Sequence, residues 1–292
     1  MTLANFLQTF EGMNNWRKKT LKIAGWLALA YLLLGILFYW FQDLIFFHPK
    51  PLKKTHVYDF AQLFREVNIA LDKRNLSVVQ FTAGRQSRGI VLYFHGNMQN
   101  VERYAAFMHF FTDSGFEVWM MDYPGFGKST GALSEKGLYD DAALLYSLAV
   151  KQVKESDIVI YGKSIGTGVA TQLAAGKEIR HLFLETPYYS LPAIASSKFP
   201  IYPFSLMMKY TFPIHLHLPK VKAGVTIFHG TEDEIISYRH SRKLVQENPQ
   251  VRLVRLPHGK HNNLTQFPAY EQTIRSILGE VQEGEQSRNQ QN

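Results

Sequence analysis

The chain has 292 residues and no cysteine, which excludes disulfides, cysteine-bound zinc and a thiol nucleophile. Its formal net charge of +8 comes from basic residues scattered in ones, twos and threes, without the basic stripe typical of nucleic-acid binding. A basic surface beside anionic lipid headgroups explains this charge, and the length suffices for one anchoring segment and one large domain.

The first predicted element is a membrane span over residues 23–41, IAGWLALAYLLLGILFYWF. Its 19 residues carry no charge, and a helix of that length crosses about 30 Å of hydrocarbon. Trp26 lies near one end, and Tyr39 and Trp40 near the other, as in an aromatic belt. A cleaved signal peptide would end in a small-residue cleavage site, and a buried core helix would have a polar face; the sequence offers neither. We therefore expect a single-pass membrane protein.

The charges on either side of the span predict its orientation. More basic residues precede the span than follow it, and positive charge favours the cytoplasmic side. They are Arg17, Lys18, Lys19 and Lys22 before the span, and Lys50, Lys53 and Lys54 after it. We therefore expect residues 1–22 to be cytoplasmic and residues 42–75 to be a juxtamembrane linker with the first strand region. The large domain would lie on the opposite side, periplasmic, lumenal or extracellular.

Residues 76–279 form the predicted large domain. Short apolar runs alternate there with longer amphipathic stretches, which predicts an α/β fold, a mostly parallel sheet with helices on both faces. The predicted strands are Leu76–Thr82, Gly89–Phe94, Glu117–Asp122, Ile158–Tyr161, His181–Glu185, Val225–Phe228 and Val251–Leu256. The predicted helices cover about 99–112, 135–153, 165–176, 238–247 and 268–278. The polar tail, 280–292, is expected to be disordered.

The alternation breaks between about 187 and 219, a stretch rich in proline and aromatic residues. Segments inserted above such a sheet often cover a site, so one interpretation is a short lid that shapes an acyl pocket. The alternative, to which we give equal weight, is additional core packing.

The strongest chemical signal is the G-x-S-x-G pattern over 162–166, with Ser164 at its centre. It falls between a predicted strand and a predicted helix, where a serine occupies a sharp turn and projects its hydroxyl above the sheet. Gly162 and Gly166 remove side chains where the strand and the helix crowd together. The N–H of Ile165 points at the same place as the positive end of the helix dipole, which suits an oxyanion.

Gly-Lys-Ser at 162–164, and again at 127–129, also resembles the end of a phosphate-binding P-loop. That motif requires a glycine five residues before its second glycine, where a bare backbone cradles phosphate. Asp157 and Asp122 occupy those positions. A nucleotide triphosphatase is therefore disfavoured, and we expect no nucleotide partner.

The loop after the strand Gly89–Phe94 begins with His95, Gly96 and Asn97. A loop at this place donates a second N–H to an oxyanion when the serine is the nucleophile. Asn97 is the candidate donor, and Met98 is the alternative one residue later. His95 could buttress the loop without excluding that role.

The candidate acid follows the strand Val225–Phe228. Asp233 lies among three adjacent acids, 232–234, and has the favoured spacing behind His229 to accept from a histidine ring and fix its tautomer. An acidic turn that simply faces water is the alternative.

The candidate base follows the strand Val251–Leu256, where two histidines occur. We expect His261 to be the base, with His258 as the alternative. The chain order of serine, acid and histidine then differs from the orders in chymotrypsin-like and subtilisin-like proteases.

The chain resembles the membrane-anchored α/β-hydrolase-domain proteins, a group with eukaryotic protein-depalmitoylase relatives and many bacterial homologues. The resemblance covers roughly residues 44–278 and rests on FFHPKPL, YFHGNMQN, MDYPGFGKS, YGKSIGTGVA, ETPYYSL, IFHGTEDEII and GKHNN, in that order. It implies the α/β-hydrolase fold after one transmembrane helix, with Ser164, Asp233 and His261 as catalytic triad. The residue before the base is commonly small in these proteins and is Lys260 here, so His258 stays an alternative.

The expected reaction is hydrolysis of an ester, thioester or lipid acyl bond through an acyl-enzyme on Ser164. Asn97 and Ile165 would hold the oxyanion, and neither a metal nor a cofactor is expected. The span and the apolar lid favour acyl chains on lipids or on lipidated proteins. Two alternatives are a serine peptidase on the same fold and a non-catalytic membrane scaffold that keeps the fold.

Overall fold

The computed structural model describes residues 15–84 and 86–279. The predicted tail, 280–292, and residues 1–14 of the predicted cytoplasmic segment lie outside the described residues. Within the described part, an eight-stranded sheet carries helices on both faces, and a long helix precedes it.

Strands and helices alternate along the chain, as the apolar pattern predicts. The strands are β1 (His48–Pro49), β2 (Phe64–Leu71), β3 (Arg74–Phe81), β4 (Ile90–Phe94), β5 (Met98–Gln99), β6 (Glu117–Met121), β7 (Ile158–Lys163), β8 (His181–Glu185), β9 (Gly224–Gly230) and β10 (Arg252–Leu256). The helices are α1 (Asn15–Phe46), α2 (Val101–Tyr104), α3 (His109–Thr112), α4 (Glu135–Ala149), α5 (Gly166–Ala174), α6 (Leu191–Lys198), α7 (Phe204–Met207), α8 (Ile214–His217), α9 (Arg239–Glu247) and α10 (Pro268–Gly279). All seven predicted strands are present.

The sheet has the strand order β10–β9–β8–β7–β4–β6–β3–β2. Every neighbouring pair from β10 to β6 is parallel, whereas β3 and β2 form an antiparallel edge. The prediction of a mostly parallel sheet is therefore confirmed. Since parallel strands end at the same edge of a sheet, the loops after β4, β7, β9 and β10 meet there, and these loops carry the predicted site residues.

The edge strand β2 has no predicted bounds because its apolar signal is weak. Its residues alternate between half-buried and exposed positions, and Arg65, Glu66 and Asn68 interrupt the apolar residues. Such a composition is typical of a strand with solvent on one side.

The predicted helix over 99–112 is divided in the structure. It consists of α2, a 3₁₀ turn over Ala105–Phe107, and α3. The start shifts to Val101 because Gln99 still pairs with Pro49 in a small parallel ladder, and the Asn100 side chain accepts from the N–H of Glu102 as an N-cap.

The core has one apolar cluster on each face of the sheet. Side chains of a strand point alternately to its two faces, so Leu92 of β4 enters one cluster and Tyr93 the other. The first cluster includes apolar residues of α4 and α5, and the second includes residues of α10. The five residues of β4 are therefore all buried, as expected for a central parallel strand.

The helix α1 contains the predicted span 23–41 and extends beyond it at both ends. Its most apolar window has a mean hydropathy of 2.0, and 6% of that window is buried. By length and composition α1 could cross a membrane, a test that a signal sequence also passes. Gly35 and Gln42 are its buried residues.

The segment 187–219 contains α6, α7 and α8 and lies between α1 and the edge of the sheet where the strands end. Phe38 of α1 packs on Phe204 with ring centroids 5.0 Å apart. Tyr210 donates to Asp43 at the end of α1 (2.7 Å). This segment therefore packs against the C-terminal half of α1.

One buried ion pair ties the antiparallel edge to α4. Asp141 is 1% exposed, and both of its carboxylate oxygens accept from Arg74 of β3, at 2.9 and 2.5 Å. The same helix also has a solvent-exposed ion pair between Lys136 and Asp140.

We expect Arg74→Ala to lower the free energy of unfolding by about 3 kcal/mol, because it leaves the Asp141 charge buried without a partner. Lys136→Ala is the matched control and should change it by less than about 1 kcal/mol, since its pair is exposed. Urea unfolding of both variants in detergent measures the difference. Equal losses would contradict this explanation.

Candidate active site

Ser164 occupies a strained turn between β7 and α5. Its φ is +51°, a left-handed conformation that non-glycine residues rarely adopt. A Cβ on Gly162 would lie 2.7 Å from the Cα of Thr167, and one on Gly166 would lie 2.1 Å from the carbonyl oxygen of Phe94. Gly162 therefore allows β7 and α5 to approach closely, and Gly166 allows the start of α5 to approach the end of β4, which together hold the serine in this conformation.

The structure brings Ser164, His261 and Asp233 into contact. The Ser164 Oγ lies 3.1 Å from Nε2 of His261, and the His261 Nδ1 lies 2.8 Å from Oδ2 of Asp233. The three residues are 8%, 4% and 9% exposed. A carboxylate can only accept, so Nδ1 carries the hydrogen and Nε2 is free to accept from the serine hydroxyl.

Asp233 is fixed independently of the histidine. Its other oxygen, Oδ1, accepts from the backbone N–H of Ile235 (2.9 Å) and of Ile236 (2.8 Å). The carboxylate therefore has a set orientation before it receives the His261 hydrogen.

The alternative histidine, His258, lies elsewhere. Its side chain is 84% exposed, and its Nδ1 lies 2.6 Å from Oε1 of Glu232. His261 has the contacts that a base requires, and His258 faces solvent beside an exposed acid.

A contact that the sequence analysis did not anticipate involves His229, at the end of β9. Its Nε2 lies 2.8 Å from the carbonyl of Ile236 and 3.4 Å from Oδ2 of Asp233, and its Nδ1 lies 2.6 Å from the hydroxyl of Ser241. The ring is fully buried. His229 therefore holds the loop that carries the carboxylate. In the sequence, His229 served only to define the spacing of Asp233. No sequence pattern indicated its contact with Ser241.

Two opposing effects set the pKa of Asp233. Burial alone would raise the pKa of this carboxyl, but hydrogen bonds from His229 and His261, together with the His261 charge, lower it well below its ordinary value of 3.8. Asp233 is therefore ionised throughout the neutral range.

The loop after β4 lies next to the serine. A Cβ on Gly96 would lie 3.7 Å from the Cβ of Ser164. The carbonyl of Asn97 accepts from the N–H of His48 (2.8 Å), and its side-chain amide donates to the carbonyl of Phe46 (2.8 Å). The backbone N–H groups of Asn97 and Ile165 have no partner in the described part of the chain, so both are free to bind an oxyanion.

His95 supports this loop from below. The ring is fully buried and stacks on Tyr104 with centroids 5.1 Å apart. Its Nδ1 lies 2.6 Å from the carbonyl of Gly96, and Tyr123 donates to its backbone carbonyl (2.7 Å). The loop is therefore held both by the core beneath it and by the chain segment that follows α1.

A cavity of about 800 Å³ opens above Ser164. Three parts of the chain line it: the loops that carry the predicted site residues, the segment 187–219, and the C-terminal half of α1 with Leu34, Phe38, Ile45 and Phe46. The lining is largely apolar, and its charged side chains are Arg103, Lys163 and Lys198. Among the described residues, no group of three histidine or acidic side chains could hold a metal ion.

Comparisons with known proteins find a family model and several relatives that are similar to part of the chain. The Hydrolase_4 family model, described as serine aminopeptidase S33, matches residues 85–210, a stretch that contains Ser164 but neither Asp233 nor His261. The α/β-hydrolase domain-containing protein aho-3 of Caenorhabditis elegans is 31% identical over 195 residues, which cover 64% of this chain and 57% of the relative. The human protein ABHD12B is 27% identical over 223 residues, which cover 66% of this chain and 61% of the relative. The chain thus matches about three fifths of the length of these relatives.

The esterase Pf2001 of Pyrococcus furiosus is a structural neighbour. It superposes with a TM-score of 0.62 at 20% identity, over 80% of this chain and 97% of the esterase. At this identity the likeness concerns the fold alone.

The lowered pKa of Asp233 predicts a pH dependence of stability. An acid whose pKa is lower in the folded chain stabilises the fold above its unfolded pKa, and this contribution is lost as the pH falls through the folded pKa. We therefore expect the free energy of unfolding of the wild type to fall more steeply below about pH 4 than that of Asp233→Asn. Urea unfolding between pH 3 and pH 7 measures the two curves.

Asp140→Asn is the matched control, because Asp140 is exposed and forms only a surface pair. Its stability curve should run parallel to that of the wild type. If the Asp233→Asn curve were also parallel to that of the wild type, the pKa of Asp233 would be the same in the folded and unfolded chains, which would contradict this explanation.

Proposed function

We propose that this chain, which has the α/β-hydrolase fold predicted from its sequence, is a membrane-anchored serine hydrolase that cleaves acyl esters or thioesters. The observation that carries the proposal is the row of contacts from Ser164 through His261 to Asp233, at a strained turn beneath an apolar cavity. An activated serine needs a base within hydrogen-bond reach and a third group that orients the base.

In the first step, Nε2 of His261 takes the proton of the Ser164 hydroxyl as Oγ attacks the carbonyl carbon of the substrate. The carbonyl oxygen becomes an oxyanion and accepts from the N–H groups of Ile165 and Asn97. One such donor contributes about 3–4 kcal/mol in comparable sites. The imidazolium then gives its proton to the leaving oxygen or sulfur, the carbon–heteroatom bond breaks, and an acyl-enzyme remains on Ser164.

In the second step, a water molecule gives a proton to His261 and attacks the acyl carbonyl. The ester bond to Ser164 breaks, and His261 returns the proton to Oγ. Asp233 stays ionised throughout and stabilises the imidazolium in both steps, as its lowered pKa supports.

The cavity supports an acyl chain as the bound part of the substrate. Its apolar walls suit a long hydrocarbon chain, and its volume of about 800 Å³ is within the range of small-molecule sites. A peptidase that reads a free amino terminus needs an anionic group for the ammonium. The described residues that line this cavity include no acid, and the charged ones are basic, so an acyl substrate is the better fit.

Anchoring through α1 is part of the same proposal. The helix is long and apolar enough to span a bilayer, and Tyr39 and Trp40 lie at the end nearest the domain, where aromatic belts occur. We propose that residues 1–22 face the cytoplasm and the hydrolase domain the opposite side, on the balance of flanking positive charge.

A fluorophosphonate probe applied to isolated membranes tests the nucleophile. We expect the wild type to be labelled and Ser164→Ala not to be, because the probe phosphonylates only an activated serine. His261→Ala should lose labelling as well, with a rate at least about 10³-fold lower. His258→Ala is the matched control and should label normally. Absence of labelling in a folded, membrane-bound wild type would favour a non-catalytic scaffold.

A second experiment tests the acyl pocket. Ala195 of α6 lines the cavity, whereas its neighbour Ser196 is exposed. We expect Ala195→Trp to lower kcat/KM for long-chain 4-nitrophenyl esters at least about tenfold and to leave acetyl ester hydrolysis nearly unchanged. Ser196→Trp should change neither. A wild type without preference for long chains, or equal losses on both esters, would contradict an acyl chain in this cavity.

A further inference from the structure

The segment 187–219, which we call the lid, lies along α1 and not only over the site. Its tip consists of residues 199–208. Tyr31 stacks on Tyr202 with ring centroids 4.4 Å apart, and its hydroxyl donates to the carbonyl of Ile201 (2.8 Å). The hydroxyl of Tyr202 donates in return to the carbonyl of Tyr31 (3.1 Å). This reciprocal pair fixes the tip in the middle of the apolar stretch of the helix.

A second set of contacts fixes the base of the same segment. The Gln42 amide donates to the carbonyl of Met207 (2.9 Å), and its oxygen accepts from the N–H of Lys209 (2.8 Å). Between the two sets, Gly35 is buried against Met207 and Tyr202, and a Cβ there would lie 3.1 Å from the Met207 side chain. The segment therefore follows α1 over 12 residues, from Tyr31 to Gln42, or about 16 Å.

The position of the tip along α1 determines how deep it would lie in a bilayer. The Lys209 ammonium lies 5.2 Å from the ring centroid of Tyr39 and 5.9 Å from that of Trp40. Two aromatic rings beside a lysine are typical of the headgroup level. Tyr31 lies eight residues from Tyr39 towards the N-terminus, about 12 Å along the helix. If α1 spans a bilayer, the tip lies about 12 Å inside the hydrocarbon layer.

The surface of the tip suits hydrocarbon. The ten residues 199–208, FPIYPFSLMM, carry no charge and are bracketed by Lys198 and Lys209. Phe199, Ile201 and Leu206 are 61%, 69% and 86% exposed. Their side chains contribute an exposed apolar surface that continues that of α1, which water disfavours and a bilayer accepts.

In lipid, polar backbone groups must find partners within the protein, and part of the backbone of the tip does so. Pro200 and Pro203 have no N–H to satisfy. Five of the eight other N–H groups in 199–208 have partners in α6 or in the tip itself, those of Phe199, Tyr202, Phe204, Leu206 and Met208. The Ile201 carbonyl is satisfied by Tyr31.

We propose that the segment 199–208 is embedded in the bilayer beside α1, and that the cavity wall formed by this segment and α1 opens to the hydrocarbon layer. A substrate acyl chain would then pass from the bilayer to Ser164 through this wall without crossing water. The inference rests on the proposed membrane span, and its second half rests on the proposed hydrolase function.

The absence of native cysteine allows a direct test. Single cysteines at Leu206, at Ile36 of α1 and at Val150 are introduced into the full chain in phosphatidylcholine vesicles and treated with a membrane-permeant maleimide. Val150 is 39% exposed and follows α4, which returns to the amino ends of the strands, far from the proposed membrane. Maleimide reacts with the thiolate, which hydrocarbon suppresses. Denaturation in SDS gives full reaction of each variant as reference.

We expect Leu206→Cys and Ile36→Cys to lose reactivity and Val150→Cys to react fully. Because the Leu206 side chain is exposed on the protein itself, its protection would come from lipid. If Leu206→Cys reacts like Val150→Cys while Ile36→Cys is protected, the tip is in water, and the inference is overturned with the anchor intact. If all three react, the membrane span itself is wrong. Fluorophosphonate labelling of the same samples reports the hydrolase function separately.

Discussion

The close approach of β7 and α5 at Ser164 is the constraint on which the site depends. Gly162 permits it against the Thr167 backbone, and Gly166 lets the same helix start approach the carbonyl of Phe94 at the end of β4. Because β4 and β7 are neighbours, the loop after β4 is placed beside the serine hydroxyl. The start of α5 provides the N–H of Ile165, and the loop after β4 provides the N–H of Asn97. The packing of α5 against β7 and β4 therefore positions both the proposed nucleophile and the proposed oxyanion donors.

The anchor and the site share structural parts. The chain leaves α1 at Phe46 and binds at once to Asn97, through the Phe46 carbonyl and the His48 N–H. The loop that we propose to hold the oxyanion is therefore fixed from above by the juxtamembrane segment and from below by His95. The same helix forms a wall of the cavity. The proposed anchoring, substrate access and oxyanion binding are in this way physically connected, so removal of α1 would also alter the site.

Much of this could be predicted from the sequence, because the decisive signals are local. Continuous apolar runs such as β4 and β7 predict buried parallel strands, and the Gly162–Gly166 pattern predicts the turn. The expectation of His261 over His258 had little support from local spacing, since both follow β10, and the fold exposes His258 and buries His261. The Tyr31–Tyr202 pair and the His229–Ser241 contact join residues whose spacing carries no pattern. The edge strand β2 was not delimited because polar residues interrupt it.

The proposed acyl-enzyme is the central claim, and its direct capture is the most decisive measurement. The wild type is mixed with a long-chain 4-nitrophenyl ester, quenched in acid within the first turnover, digested, and analysed by mass spectrometry. We expect the peptide that contains Ser164 to be heavier by one acyl group, in proportion to the initial burst of 4-nitrophenol. Release of 4-nitrophenol over many turnovers with an unmodified Ser164 peptide, or with the acyl group on another residue, would contradict the account.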